Sequence, residues 1–282
     1  MKKLFAYPYV VWISIFIVVP LLLVLYYSLT AVDADGAAYF TLDNYRRFFE
    51  ASTPGQPFLE RIYVSVMLRS IWLALISTAI CFVLGYPAAY IMAGKGFSDK
   101  SFLLFLFLVP MWMNFLLRTY AWLTILEQNG VLNNLLGFLG IPKLDILYTD
   151  AAVVLGMVYN FLPFMILPIY TSLRKTDRSL IEAAQDLGAD GIKVFSRVVF
   201  PLSIPGVVSG VTMVFMPGVT TFIISNLLGG GQYILIGNLI EQQFLKVGDW
   251  RFGSAISVIL IILILISMGI FARVDKEPVT TA

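Results

Sequence analysis

Long stretches of this chain carry no charged residue, and that patterning rules out most of what a polypeptide can fold into. Runs free of Asp, Glu, Lys and Arg extend from Leu4 to Val32, Ser70 to Gly94, Ala151 to Leu173, Val198 to Ile240 and Phe252 to Ala272. Another, from Ser101 to Leu126, is interrupted only by Arg118. About 20 mostly apolar residues suffice for a helix to cross a bilayer, and with no water to satisfy the backbone only helices and closed barrels span it. With 59% of the 282 residues hydrophobic and 13% charged, the expected class is an all-α integral membrane protein with about six transmembrane helices.

The spans are expected at about 9–29, 69–92, 102–126, 152–173, 203–228 and 253–271, forming a single transmembrane domain over residues 1–282. The run from Val198 to Ile240 exceeds one span, and Gly229-Gly230-Gly231 divides it into a span and an outer loop. Arg118 fits near a membrane face, where a long side chain can snorkel, with Glu127 as a candidate acidic partner. An even number of spans puts both termini on one side. Placing them inside makes Lys2, Lys3, Lys95, Lys100, Arg174, Lys175, Arg178, Lys193, Arg197, Arg273 and Lys276 cytoplasmic, more than half of the 19 Lys and Arg. Short cytoplasmic loops are enriched in positive charge, so both termini are expected in the cytoplasm. Lys2-Lys3 before an apolar stretch also resembles a signal peptide. That stretch continues past Pro20 to Leu29, however, beyond the roughly 7 to 15 residues of a signal core, and is expected to remain as the first span.

Histidine is absent and Cys81 is the single cysteine. An intrachain disulfide, a zinc site and a Ser/His or Cys/His catalytic pair are therefore all excluded. The net charge of +2 does not point to nucleic acid. The phosphate-cradling pattern Gly-x-x-x-x-Gly-Lys-Ser/Thr does not occur.

Between the fourth and fifth spans, Arg174 to Pro201 is far more polar than a tight turn requires. Ser179 and Glu182 stand at capping-box spacing, and Leu180, Ala184 and Leu187 recur as one apolar stripe. Gly188 sits where a left-handed cap ends a helix, and Asp190 precedes a second helix that stops at Pro201. Two short capped helices are expected. Within them, Glu182-Ala183-Ala184, then Gly188, then Pro201 at the entry to the next span resemble the EAA motif of ABC-importer permeases, the binding-protein-dependent inner-membrane components. Their usual Ile-x-Leu-Pro is here Val198-Val199-Phe200-Pro201, hydrophobic for hydrophobic.

That resemblance implies a MetI-like permease fold whose first short helix docks into a cleft on a separate ATPase. ATP and Mg would then be used by the partner ATPase, with no cofactor and no catalysis on this chain. The competing reading of the loop, an amphipathic connector at the lipid interface, is weakened by its alanine-rich stripe.

Further strings extend the likeness over almost the whole chain: Phe40-Thr41-Leu42-Asp43-Asn44-Tyr45, Leu84-Gly85-Tyr86-Pro87, Val109-Pro110 with Trp112, Asn114, Leu116, Arg118 and Tyr120, Leu162-Pro163-Phe164-Met165, and Leu235-Ile236-Gly237-Asn238. They are similar to the spermidine/putrescine permeases of that family. This implies a second permease subunit of the PotC type, two ATPase subunits of the PotA type and an external polyamine-binding protein of the PotD type. The expected location is the cell (plasma or inner) membrane, with the bilayer as solvent.

The membrane interior holds no Asp or Glu, although an ammonium in low dielectric needs a partner. A weak path is expected, with Trp112, Tyr120, Tyr159 and Phe164 offering cation-π faces of about 0.5–2 kcal/mol each and Asn114, Asn160, Ser225 and Asn226 supplying oxygens. Ordinary packing and interfacial anchoring are the alternative for these aromatics. Related permeases for an opine, a phosphonate or ferric iron form the near alternative for the substrate. A secondary transporter or channel would show intramembrane carboxylates or inverted repeats, and a membrane enzyme would need a catalytic constellation; neither feature is present.

Overall fold

A computed structural model describes residues 7–33, 35–51, 57–94, 100–232 and 234–276. Lys2, Lys3 and Lys95, three of the cations behind the inside assignment, lie outside these residues. The chain packs as two units, one comprising Met1–Leu68 with Ile236–Ile266, the other Arg69–Leu235 with Ser267–Ala282.

In the first unit, α1 (Tyr7–Ile13) and α2 (Val19–Ser28) are joined by a π-helical turn, Ser14–Val18. Pro20 has no N–H to give the carbonyl four residues back, and the turn widens just before it. Two short antiparallel strands follow, β1 (Thr30–Val32) and β2 (Ala38–Phe40), with Thr30 opposite Phe40. Gly36, at φ +83°, makes the turn between them. Helix α3 (Asp43–Phe48) is tied back to α2 by Asn44, whose Nδ2 donates to the Ser28 and Thr30 carbonyls at 3.2 and 3.1 Å. The Thr41 hydroxyl accepts the Asp43 N–H. Arg47 pairs with Asp249 at 2.7 Å and lies 4.1 Å over the Phe252 ring.

The second unit contains most of α4 (Ile62–Ala93) and the elements up to the glycine triplet. The third apolar run is not one helix: α5 (Lys100–Trp112) stops and α6 (Phe115–Leu126) begins anew. The cause is Asn114, whose side chain accepts from the Leu116 and Leu117 N–H groups and so starts a helix in the middle of an apolar stretch. Among the described residues, five helices are long and apolar enough to span, and the third run is divided into two shorter pieces. Helix α7 (Val131–Phe138) precedes the long α8 (Asp150–Lys175), which Thr149 caps.

After α8 come α9 (Arg178–Asp186), α10 (Gly191–Val194), a π turn at Phe195–Val199 just before Pro201, and α11 (Phe200–Thr220). The fifth expected span also breaks: Thr221 is extended and α12 (Ile223–Leu228) is separate. Gly230 and Gly231 then turn the chain at positive φ. In the first unit, α13 (Ile236–Glu241) and a π turn, Gln242–Val247, lead to α14 (Trp250–Lys276), which ends in the second.

Small residues let the helices of the second unit touch. A Cβ on Gly206 of α11 would stand 2.5 Å from the Ser172 Cβ and 2.8 Å from the Pro168 carbonyl oxygen of α8. Gly210 meets Met165, Gly218 meets Ala74 of α4, and Gly156 of α8 meets Leu228 and Ile224 of α12. Between apolar helices in lipid, close backbone approach of this kind replaces the hydrophobic effect as the source of association. The Tyr86 and Ser203 hydroxyls, both buried, share a hydrogen bond of 2.9 Å between α4 and α11.

Candidate functional site

The loop from Arg174 to Pro201 forms one exposed helix followed by the start of a long one. Its first helix is capped by Asp177, whose carboxylate accepts the Ser179 N–H at 3.0 Å. Ser179 is the second residue of α9, so the Ser179–Glu182 capping box is not formed. That bond holds the Asp177 carboxyl below the ordinary aspartate range. The apolar stripe is also rotated from the expected one. Ile181 and Ala184 pack on the core, while Leu180 is half-exposed and Leu187 is 89% exposed. Glu182 and Ala183 are exposed, and no residue of α9 is buried.

Gly188 ends α9 at φ +80°. Its N–H donates to the Gln185 carbonyl at 2.9 Å and the Ala189 N–H to the Ala184 carbonyl at 3.0 Å, a closure that requires the left-handed conformation. Asp190 accepts the Lys193 N–H at 2.8 Å and caps the second helix. That second helix is not a separate short element. Gly191–Thr220 is one run of 30 residues, passing through the π turn and Pro201. Phe195 and Phe200 clamp its base against Tyr86 of α4, at 5.8 and 5.6 Å between ring centres.

The expected path residues are dispersed. Asn160 is buried on α8, its Nδ2 donating to the Gly156 carbonyl at 2.9 Å while its Oδ1 has no hydrogen-bond partner. Because Gly156 abuts α12, Asn160 lies one turn along α8 from that contact; Ser225 of α12 is also buried, its hydroxyl on the Phe222 carbonyl at 3.1 Å. Asn226 is exposed. Tyr159 is joined edge-on to Trp122 at 5.3 Å, and Tyr120 and Phe164 are partly exposed. Trp112 is 80% exposed and touches Phe105 at 6.3 Å. Arg118 is buried with its Nε unpartnered, and among the described residues it forms no ion pair with Glu127. Its guanidinium instead lies 5.9 Å from the Phe115 ring.

Asn114 is occupied as a helix cap. Asn114→Ala is expected to cost about 1 kcal/mol of stability, seen as a lower melting temperature of the detergent-solubilised protein. Asn114→Ser keeps the cap and should keep uptake; loss of uptake in the serine variant at unchanged melting temperature would instead give Asn114 a role in the path.

Sequence reasoning missed a cavity of about 580 Å³ lined by Pro168, Thr171 and Ser172 of α8, the start of α9 including Asp177 and Leu180, and Leu202, Pro205 and Ser209 of α11. The available signal was hydroxyl residues three or four positions beyond prolines inside both apolar runs.

Residues 62–277 match the model of a family described as "Binding-protein-dependent transport system inner membrane component". The chain belongs to this family. It is a multi-pass membrane protein of a transport system. It is 40% identical over 269 residues to the spermidine/putrescine transport system permease protein PotB of Escherichia coli K12, covering 94% of each chain. PotB of Haemophilus influenzae is 37% identical, over 94% of this chain and 91% of that one. In fold, the chain is similar to one in the crystal structure of a bacterial alginate ABC transporter in complex with alginate pentasaccharide-bound periplasmic protein. The TM-score is 0.79 at 14% identity, covering 100% of this chain and 96% of that one.

Proposed function

We propose that this chain is a permease subunit of an ATP-driven importer of spermidine and putrescine, forming half of the translocation pathway. The observation that carries this reading is the 40% identity to PotB, sustained over 94% of both chains. In it, a PotC-type permease supplies the other half of the pathway, two PotA-type subunits hydrolyse Mg-bound ATP, and a PotD-type protein delivers the polyamine from outside. The chain itself binds no cofactor and catalyses no reaction. Both termini lie in the cytoplasm, which places α9 there too.

Glu182, Ala183 and Ala184 on α9, with Gly188 and Pro201, couple the permease to the ATPase. The supporting geometry is α9, a helix with no buried residue and a cap at each end, with Leu187 just past its last residue at 89% exposure and Ile192 at the start of the following helix at 81%. An exposed apolar pair on a fixed mount suits insertion into a protein groove. The test for the substrate is competition in proteoliposomes holding the complete transporter. Unlabelled spermidine and putrescine should suppress uptake of labelled polyamine, whereas an opine, a phosphonate and ferric iron should not. Suppression by one of those three, with the polyamines inert, rejects the proposal.

A further inference from the structure

The long helix that follows the exposed loop has a weak point near its start, and Tyr86 of α4 grips it on both sides. The run Gly191–Thr220 widens into a π turn at Phe195–Val199 and carries Pro201 just beyond it; π turns and prolines are where helices bend. The Tyr86 ring lies 5.8 Å from the Phe195 ring, at the first residue of that turn, and 5.6 Å from the Phe200 ring, just past it. Tyr90, one turn further along α4, also meets Phe195, at 5.5 Å. The remaining contact is polar. Ser203, wholly buried, gives its one hydroxyl proton to the Phe200 carbonyl at 2.8 Å, so the Tyr86 hydroxyl is the donor in the 2.9 Å bond between them. At this level α4 is itself weakened, because Pro87 inside it has no N–H to give. Two helices that can each bend thus meet at one side chain. A single hydroxyl pair adds only modestly to helix association in lipid, and phenylalanine would fill the same space. What singles this hydroxyl out is its place across the π turn.

We propose that Tyr86 is a positioning residue that braces the π turn, so that movement imposed on the α9 loop passes into α4 instead of being lost as bending of the long helix. The inference rests on the coupling role given above to α9. With the brace, the segment Gly191–Val199 and the end of α4 beyond Pro87 shift together. Without it, the base of the long helix yields at Phe195–Val199, and α4 keeps its place while the loop moves.

The experiment uses the complete transporter in proteoliposomes and reads spermidine moved against ATP hydrolysed in response to the loaded binding protein. Tyr86→Phe removes the donor and keeps the ring; Ser203→Ala removes the acceptor. Each is expected to lower the spermidine moved per ATP about fivefold, with hydrolysis continuing. The double variant should fall no further than either single one, because both break the same bond. Thr78→Val is the control: its hydroxyl, also buried on α4, donates to the Ala74 carbonyl of its own helix at 2.7 Å, and its loss should leave the ratio unchanged. An unchanged ratio in Tyr86→Phe and Ser203→Ala, whatever their melting temperatures, makes the bond a packing contact and overturns the assignment. A double variant whose loss is the product of the two single losses overturns it as well, and so does an equal fall in Thr78→Val. Should the unmodified transporter carry another solute instead of spermidine, the ratio is read with that solute and decides in the same way. Normal uptake by Gly188→Val rejects the coupling role and this inference with it. Lost uptake there, with an unchanged ratio in the two hydroxyl variants, rejects this inference alone.

Discussion

Replacing Gly188 by valine is expected to abolish ATP-driven uptake in cells lacking the wild-type chain, while the variant still inserts at wild-type levels. At φ +80° a side chain is strained whatever the space around it, and for an L-residue the left-handed conformation costs about 1–2 kcal/mol. Nothing stands within 4 Å of a Cβ built there, so the strain is not a clash, and α9 has no buried residue whose displacement would unfold the core. The chain escapes the strain by redirecting α9, which moves Glu182 relative to the long helix. Gly188→Asn should retain most uptake, because asparagine tolerates the left-handed region better than other residues. Normal uptake by the valine variant would reject the role given to this turn; equal loss in both variants would show that the left-handed backbone is not what matters.

A single exchange, glycine to alanine, is expected to change stability in opposite directions at two positions. At Gly206 the new methyl meets the Ser172 Cβ, the Pro168 carbonyl oxygen and the Ile169 Cα at 2.5, 2.8 and 3.1 Å. Two of those three atoms are backbone, so α8 and α11 have to separate, at a cost of about 1–3 kcal/mol or more. At Gly269 on α14 nothing stands within 4 Å, and relief of glycine's excess chain entropy should stabilise by about 0.5–1 kcal/mol. Melting temperatures of the purified variants, compared with wild type, measure both. A Gly206→Ala protein as stable as wild type would mean that α8 and α11 are not held by this contact.

Much of this was legible in the sequence because the bilayer admits so few solutions. Charge-free runs locate helices, and an alanine-rich helix closed by glycine shows as a capped surface element. What was misread involves competition between local groups. Ser179 and Glu182 have capping-box spacing, but Asp177 two residues earlier takes the cap position and accepts the N–H of Ser179 itself. The third run reads as one helix on hydropathy, yet a single asparagine with an oxygen for two amides restarts it. The second loop helix looked short because Pro201 reads as a stop. Pro201 lies inside one continuous helical run, where the π turn just before it makes room for its ring and its missing N–H, so the helix continues. The cavity was illegible because it depends on two prolines 37 positions apart facing one another, a matter of packing between helices rather than of pattern along one.

Leu187 and Ile192 have a consequence for the chain before assembly. On the proposed arrangement, a subunit made without its ATPase would show the cytoplasm two almost wholly exposed aliphatic side chains, Leu187 just past α9 and Ile192 on α10, beside a helix that has no buried residue and so opens locally at low cost. Chaperones and proteases act on such segments. The surface proposed to transmit force in the finished transporter would thus also mark an orphan subunit for removal, and the cell's stock of permease would follow its stock of ATPase.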